Sequence, residues 1–428
     1  MIVVFLYREY MPVSRFCYTT GLSMWALGIF TVTYIGVALG HIPGLLLDRN
    51  GIALLGAIAM VVSGALLLDQ AVASIDFPTI LLLYALMIVS AQLRLGGFYT
   101  RTAQTLSVFC NRPRLFLLVG MLVSAVLSAI LANDIICLAF TPILSLALIL
   151  ARLNPIPFLL GLAVASNIGS AATLIGNPQN LLIGQVGRLD FGAFLAWCGP
   201  PSLAAFIGAY LILVWRYAGQ WQVPPGAHRD APMPVWPEFD PWQSAKGIFV
   251  VAMLMVLFFT RVPRELSALA AAGALLCSRR MKARHVVELV DWHLLTLFCA
   301  LFIVIEGIAL AGIPDKMIAL LAGAGMDVRH PLTLTLVSTV LSNVVSNVPA
   351  VMLLVRFLDA TQPEQWYILA ISSTFAGNLI TIGSIANLIV IEKAAESGIA
   401  IDFRTHAKVG CLVTLWSLLC LVGWIYLI

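Results

Sequence analysis

The sequence predicts an all-α polytopic membrane protein, and three observations carry that expectation. Of 428 residues, 61% are apolar and only 10% are charged, where a soluble domain carries about 25% charged residues. The mean hydropathy is +1.00. The apolar residues fall in long runs that do not alternate, so they suit helices rather than barrel strands. A soluble enzyme is excluded, and so is a disordered chain, because disorder needs low hydrophobicity. The net charge of +4 does not point to nucleic acid, since the cations sit between the apolar runs.

A helix needs about 20 apolar residues to span a bilayer. The runs are 21–47, 51–72, 77–97, 114–151, 156–187, 192–216, 245–262, 266–280, 292–313, 330–358, 366–393 and 405–428. Residues 1–20 hold Arg8, Glu9 and Arg15 after a short apolar stretch, which makes a poor signal peptide. They read as an N-terminal tail, or as the product of an early start codon with Met11 or Met24 as alternatives. Residues 217–244 form the one long polar stretch, with prolines at 224, 225, 232, 234, 237 and 241. Such a stretch reads as a stiff linker. It separates a first repeat, 21–216, from a second, 245–428.

The two halves resemble each other. The run starting at Asp76 matches the run starting at Asp291, and Gly97 then falls opposite Gly312. Leu127-Ser128 followed by Asn133 matches Leu341-Ser342 followed by Asn347, and Asn180 matches Asn387 after a small gap. Internal duplication is a signature of secondary transporters.

Four runs are interrupted by polar and helix-breaking residues. Run 114–151 breaks at Asn133-Asp134, and run 330–358 breaks at Ser342-Asn343 and again at Ser346-Asn347-Val348-Pro349. These two read as re-entrant hairpins. Run 156–187 breaks at Gly176 to Asn180, and run 366–393 breaks at Gly377-Asn378 and at Gly383-Ser384. These two read as spanning helices with unwound middles. Each half then has five transmembrane helices plus one hairpin. Five is odd, so the second repeat is inverted, with the broken helices at the midplane. Lysine and arginine are twice as frequent on the side that carries the linker. That side is therefore expected in the cytoplasm, with both termini outside.

Unwound backbone inside a membrane needs polar company. Half-helix N-termini favour anions, and unwound carbonyls with Ser and Asn oxygens suit a small hard cation. The candidate substrate and ion site is Ser128, Asn133, Asp134, Thr173, Gly176, Asn177, Asn180, Ser342, Ser346, Asn347, Gly383, Ser384 and Asn387. Sodium is a candidate at Ser342, Ser346 and Asn347. Read singly, Asn133, Asn177 and Asn347 suit helix caps, and Pro178 and Pro349 suit first-turn positions. Repetition in both halves turns the reading toward binding. Asp134 is a lone carboxylate in an apolar run, which marks function by default. Its counterpart is Val348, so any coupling through it is asymmetric.

Other residues read more plainly. Glu306 ranks below Asp134 as a coupling group. Glu392-Lys393 reads as a solvated pair and Arg356 as a surface residue. Trp197, Trp215, Trp242, Trp292 and Trp366 read as interface anchors. The eight cysteines occur singly; Cys137, Cys277, Cys299 and Cys420 read as small buried hydrophobes. No clustered nucleophile, metal set or nucleotide motif is present, so neither an enzyme nor ATP-driven transport within this chain is expected. A separate ATPase subunit stays open as a partner.

At these motifs the chain resembles the ion transporter superfamily, which includes arsenite efflux permeases, citrate and divalent-anion symporters and sodium/proton antiporters. The carrying segments are Ala132-Asn133-Asp134 with Thr141-Pro142, Ser166-Asn167 through Gly176-Asn177-Pro178-Gln179-Asn180, Ser346-Asn347-Val348-Pro349, and Gly383-Ser384 with Asn387. The similarity is closest to an anion-permease branch of the CitMHS type. It implies a scaffold and a moving transport part, elevator-like alternating access and a homodimer. Both tips lack the threonine that ends the Ser-Asn-Thr tip of the carboxylate symporters. The Asn-Asp tip is more similar to the arsenite and sodium/proton branches. The resulting expectation is a secondary transporter of a small anion or oxyacid in a bacterial-type inner membrane. H+ or Na+ serves as coupling ion, with no other cofactor. A sodium/proton antiporter is the alternative.

Overall fold

The computed structural model describes residues 15–40, 45–222, 238–278, 280–323 and 327–428. Most of the expected N-terminal tail and the centre of the linker lie outside the described residues. The first half folds as α1 (Arg15–Leu39), α2 (Arg49–Val62), α3 (Leu68–Ser74), α4 (Phe77–Leu95) and α5 (Phe98–Leu106). It continues with α6 (Pro113–Ile130), α7 (Asn133–Leu150), α8 (Pro155–Ala171), α9 (Pro178–Val186) and α10 (Phe191–Arg216). The second half runs α11 (Pro241–Phe258), α12 (Arg264–Leu276), α13 (Ala283–Val287), α14 (Trp292–Leu310) and α15 (Ile313–Gly323). It ends with α16 (Pro331–Val345), α17 (Asn347–Leu354), α18 (Pro363–Ala376), α19 (Ile385–Glu396) and α20 (Phe403–Leu427). Among the described residues each half holds ten α-helices, and each helix has its match ten numbers on, although α17 (8 residues) is much shorter than α7 (18 residues).

Local chemistry sets these boundaries. Proline opens α6, α8, α9, α11, α16 and α18, where its missing N–H costs nothing. Asp48, Asn154, Asp190, Asp240 and Asp402 cap α2, α8, α10, α11 and α20 by accepting backbone N–H groups. The turns after α4 and α14 pass through Gly97 and Gly312 with φ of +72° and +65°, a conformation that glycine adopts without strain. Among the described residues, seven helices are long and apolar enough to cross a membrane: α4, α6, α7, α10, α11, α14 and α20.

Several expectations are corrected. Run 51–72 is two helices, because the chain turns at Gly64 with φ of +74°. The break expected at Ser342-Asn343 is absent; α16 continues to Val345, and the Asn343 amide bonds back to the Thr339 carbonyl within it. Pro241 opens a helix instead of extending the linker. Trp366 is buried, its ring N–H donating to the Asp359 carbonyl at 2.9 Å, so it is no interface anchor. Cys277 is exposed at the end of α12. Lys393 pairs with Glu396 rather than Glu392.

Contacts group the chain into two units that cut across the sequence halves. One is Met1–Asp76 with Thr296–Ala324; the other is Phe77–Leu295 with Gly325–Ile428. In the first, α1 packs on α2, and Gly56 admits the side chain of Thr33. In the second, α6 packs on α8 and α16 on α18, a matched pair of contacts. Helix α7 packs on α19, and its counterpart α17 packs on α9. Nearly every residue of α8 and α18 is buried. Between them these two helices bury Ser166, Asn167, Ser170, Ser372, Ser373 and Thr374.

Candidate substrate site

Both hairpin tips and both broken helices meet at one narrow cleft within the second unit. It is lined by Asn133 and Asp134 of the first tip and Ser346, Asn347 and Val348 of the second. Pro178 and Gln179 line it from α9, and Ser384 and Ile385 from the start of α19. The side chains offer amides, hydroxyls and one carboxylate. Lysine, arginine and histidine are not among them.

The tips are held by backbone bonds to the breaks. The Asn133 N–H donates to the Gly176 carbonyl at 2.9 Å. Asn347, with its amide turned to donate, reaches the Ser373 and Gly383 carbonyls at 3.0 and 2.9 Å. Asn133 and Asn347 are not helix caps, since Ala132 and Ser346 hold the cap positions. That frees both amides for tertiary bonds. Asn177 is a cap, accepting the Asn180 N–H at 2.8 Å. Ser346 has φ of +77° and ψ of +162°, a region that is essentially glycine-only and strained for other residues.

The same hydrogen bonds recur in the two breaks. The Asn180 amide donates to the carbonyls of Ser170 and Thr173 at 3.2 and 2.9 Å. The Asn387 amide donates to those of Gly377 and Ile380, the matching positions, at 2.7 and 3.3 Å. The breaks also bond across to each other. Asn177 donates to the Thr374 hydroxyl at 3.3 Å, and Ser384 to the Asn167 Oδ1 at 3.0 Å. In each break one asparagine thus satisfies two carbonyls at matching positions.

Asn167 is the residue that site reasoning passed over. It is fully buried in α8. Its Oδ1 accepts from Asn133 Nδ2 and Ser384 Oγ, both at 3.0 Å. Its Nδ2 donates to Asn378 Oδ1 at 2.9 Å and Asn387 Oδ1 at 3.1 Å. It thus ties the first tip to the second break. Gln179 was also missed; it lines the cleft and donates to Thr374 at 3.3 Å. A signal existed for both: an uncapped amide within a long buried run.

Among the thirteen expected residues, Asn133, Asp134, Ser346, Asn347 and Ser384 line the cleft. Thr173, Gly176, Asn177, Asn180, Gly383 and Asn387 stand behind it; Thr173 donates to the Ala129 carbonyl, joining the break to α6. Ser128 and Ser342 lie a turn below the tips, fully buried, with hydroxyls that meet no protein partner. Glu306 is half-buried in α14 and belongs to the first unit.

The family model described as citrate transporter matches residues 25–376. A rice protein (Oryza sativa subsp. japonica) named silicon efflux transporter LSI3 is 28% identical, covering 91% of this chain and 93% of its own. The inner membrane protein YbiR of Escherichia coli K12 is 31% identical, covering 83% and 89%. The crystal structure of the YdaH transporter of Alcanivorax borkumensis covers 96% of this chain and 98% of its own, with a TM-score of 0.57 at 14% identity. That likeness is one of fold.

Proposed function

Since this chain belongs to the citrate transporter family of multi-pass membrane transporters, we propose that it is a secondary carrier whose substrate sits in the tip cleft. The substrate class is a small oxyacid in its neutral form, or a small anion that enters only together with a cation. The carrying observation is the lining: amide and hydroxyl groups for hydroxyls and oxygens, one carboxylate at Asp134, and no cationic side chain. A multiply charged carboxylate would meet Asp134 in a dehydrated space with nothing to offset its charge. A neutral hydroxylated acid can donate to Asp134 and accept from the amides. The relative named for silicon transport agrees with that chemistry.

The coupling ion is H+ or Na+, taken at Asp134 or among the oxygens of Ser342, Ser346 and Asn347. The matched hydrogen bonds of the two breaks support a duplicated site, and the odd number of crossings in each half makes the second repeat inverted. The hairpins and broken helices move together as an elevator against the remaining helices, in a homodimer in the inner membrane.

Purified protein in liposomes tests the substrate. Arsenous and silicic acid should be taken up with saturation and counterflow. Citrate should not accumulate without an imposed cation gradient. Gradient-independent, saturable citrate uptake overturns the neutral-oxyacid reading.

A further inference from the structure

Asp134 borders two spaces. One is the polar cleft. The other is a larger, mainly apolar cavity in the same unit, which Pro178 also lines. The cavity lies between α4, α7, α9, α19 and the segment 289–294. Leu86, Met87, Leu138 and Leu181 form much of its wall. Ser90 lines it too, but its hydroxyl is paired with that of Tyr99 at 2.8 Å. The exposed Asp291 also lines it, and its carboxylate accepts the Leu294 N–H at 2.9 Å.

We propose that this cavity is the route by which substrate reaches the tip cleft from the face carrying Asp291, and that it selects against anions. The inference rests on the transport reading above. The wall offers an ion almost nothing in place of its water. Two carboxylates line it, the half-buried Asp134 and the exposed Asp291, against one cation, Arg94. Neutral molecules cross such a space without that penalty. Leu138 is half-buried, one turn beyond Asp134 on the same face of α7, so anything passing from Asp291 to Asp134 moves along it.

The test uses Leu138→Cys in the full chain with native cysteines replaced, reconstituted in liposomes. Two thiol reagents of equal size, one cationic and one anionic, are applied from each face in turn. The proposal expects reaction from the Asp291 face, loss of silicic acid uptake on modification, and slower reaction when silicic acid is present. The cationic reagent should react about tenfold faster, as two carboxylates against one arginine on the lining imply. Ionisation of the thiol itself is common to both reagents and cancels from the ratio. Asp291→Asn should narrow the ratio severalfold while leaving the melting temperature unchanged. If Leu138→Cys does not fold, Met87→Cys on the opposite wall takes its place.

A folded cysteine variant that is unreactive from the Asp291 face, or that transports normally once modified, overturns the route. Equal reaction of the two reagents overturns the selection. Absence of silicic acid uptake by the unmodified protein would instead count against the substrate reading, because labelling rates do not depend on what is carried.

Discussion

Asn167 uses every hydrogen-bonding position of its amide on other members of the site. Replacing its NH2 by an oxygen keeps the shape but sets a carboxylate against two amide oxygens. A buried unmatched polar group costs about 1–3 kcal/mol, and Asn167→Asp creates at least two. The variant should melt several degrees lower than wild type in detergent and lose transport; an unchanged melt would mean that the bonds of Asn167 contribute little to folding. Ser346 is the opposite case, a strained residue at a tip. Ser346→Gly removes about 1–3 kcal/mol of backbone strain together with the hydroxyl, whereas Ser346→Ala removes the hydroxyl and keeps the strain. The glycine variant should be the more stable of the two, and both should transport poorly if the hydroxyl touches the substrate or ion. Comparing their melts separates conformation from chemistry. Asp134 is the one carboxylate of the cleft, so it is the group that can bind and release a proton or cation there. Asp134→Asn should abolish uptake driven by a pH gradient while retaining silicic acid binding in a thermal-shift assay. Normal gradient-driven accumulation in the variant would reduce Asp134 to a first-turn helix charge.

Packing between elements depends on small residues that let backbones approach, as is common inside membranes. A Cβ at Gly410 of α20 would lie 2.2 Å from the Asn378 carbonyl oxygen, in the unwound segment of the second half. Backbone cannot yield as a side chain can, so Gly410→Ala should displace that segment, lower the melting temperature and impair transport. Gly423→Ala, in the same helix, meets nothing within 4 Å and should behave as wild type. Equal tolerance of both substitutions would mean that α20 does not press on the break. Contacts of this kind explain what was legible in the sequence. Apolar runs, proline starts and the repeated Asn and Gly positions are local signals, and they mark the helices and both tips. The absent break at Ser342-Asn343 misled because an asparagine can be accommodated in a helix when its side chain finds carbonyls, as Asn343 finds those of Thr339 and Ala376. Asn167 was hard to single out because its importance lies in partners more than 200 positions away, Asn378 and Asn387, and no local pattern carries that.

At the scale of the molecule, the ten helices repeated in order among the described residues set up a test of topology. Each half is read as five crossings and one hairpin. A hairpin returns to the side from which it entered, so it leaves the count of crossings odd. From the linker to the C-terminus the chain therefore makes an odd number of crossings, and the two must lie on opposite faces. Lysine and arginine are twice as frequent on the side expected to carry the linker, so that side is expected to face the cytoplasm. A cysteine at position 231 of the linker, in a chain whose native cysteines are replaced, should be shielded from an impermeant thiol reagent added outside intact cells. One at Ile428 should be labelled. Opening the cells should expose the linker cysteine and so rule out burial as the reason for its protection. Labelling of both from one face would mean an even number of crossings. The second half would then not be the inverted match of the first, and the recurrence of Asn180 bonds at Asn387 would have to come from repeats of parallel orientation.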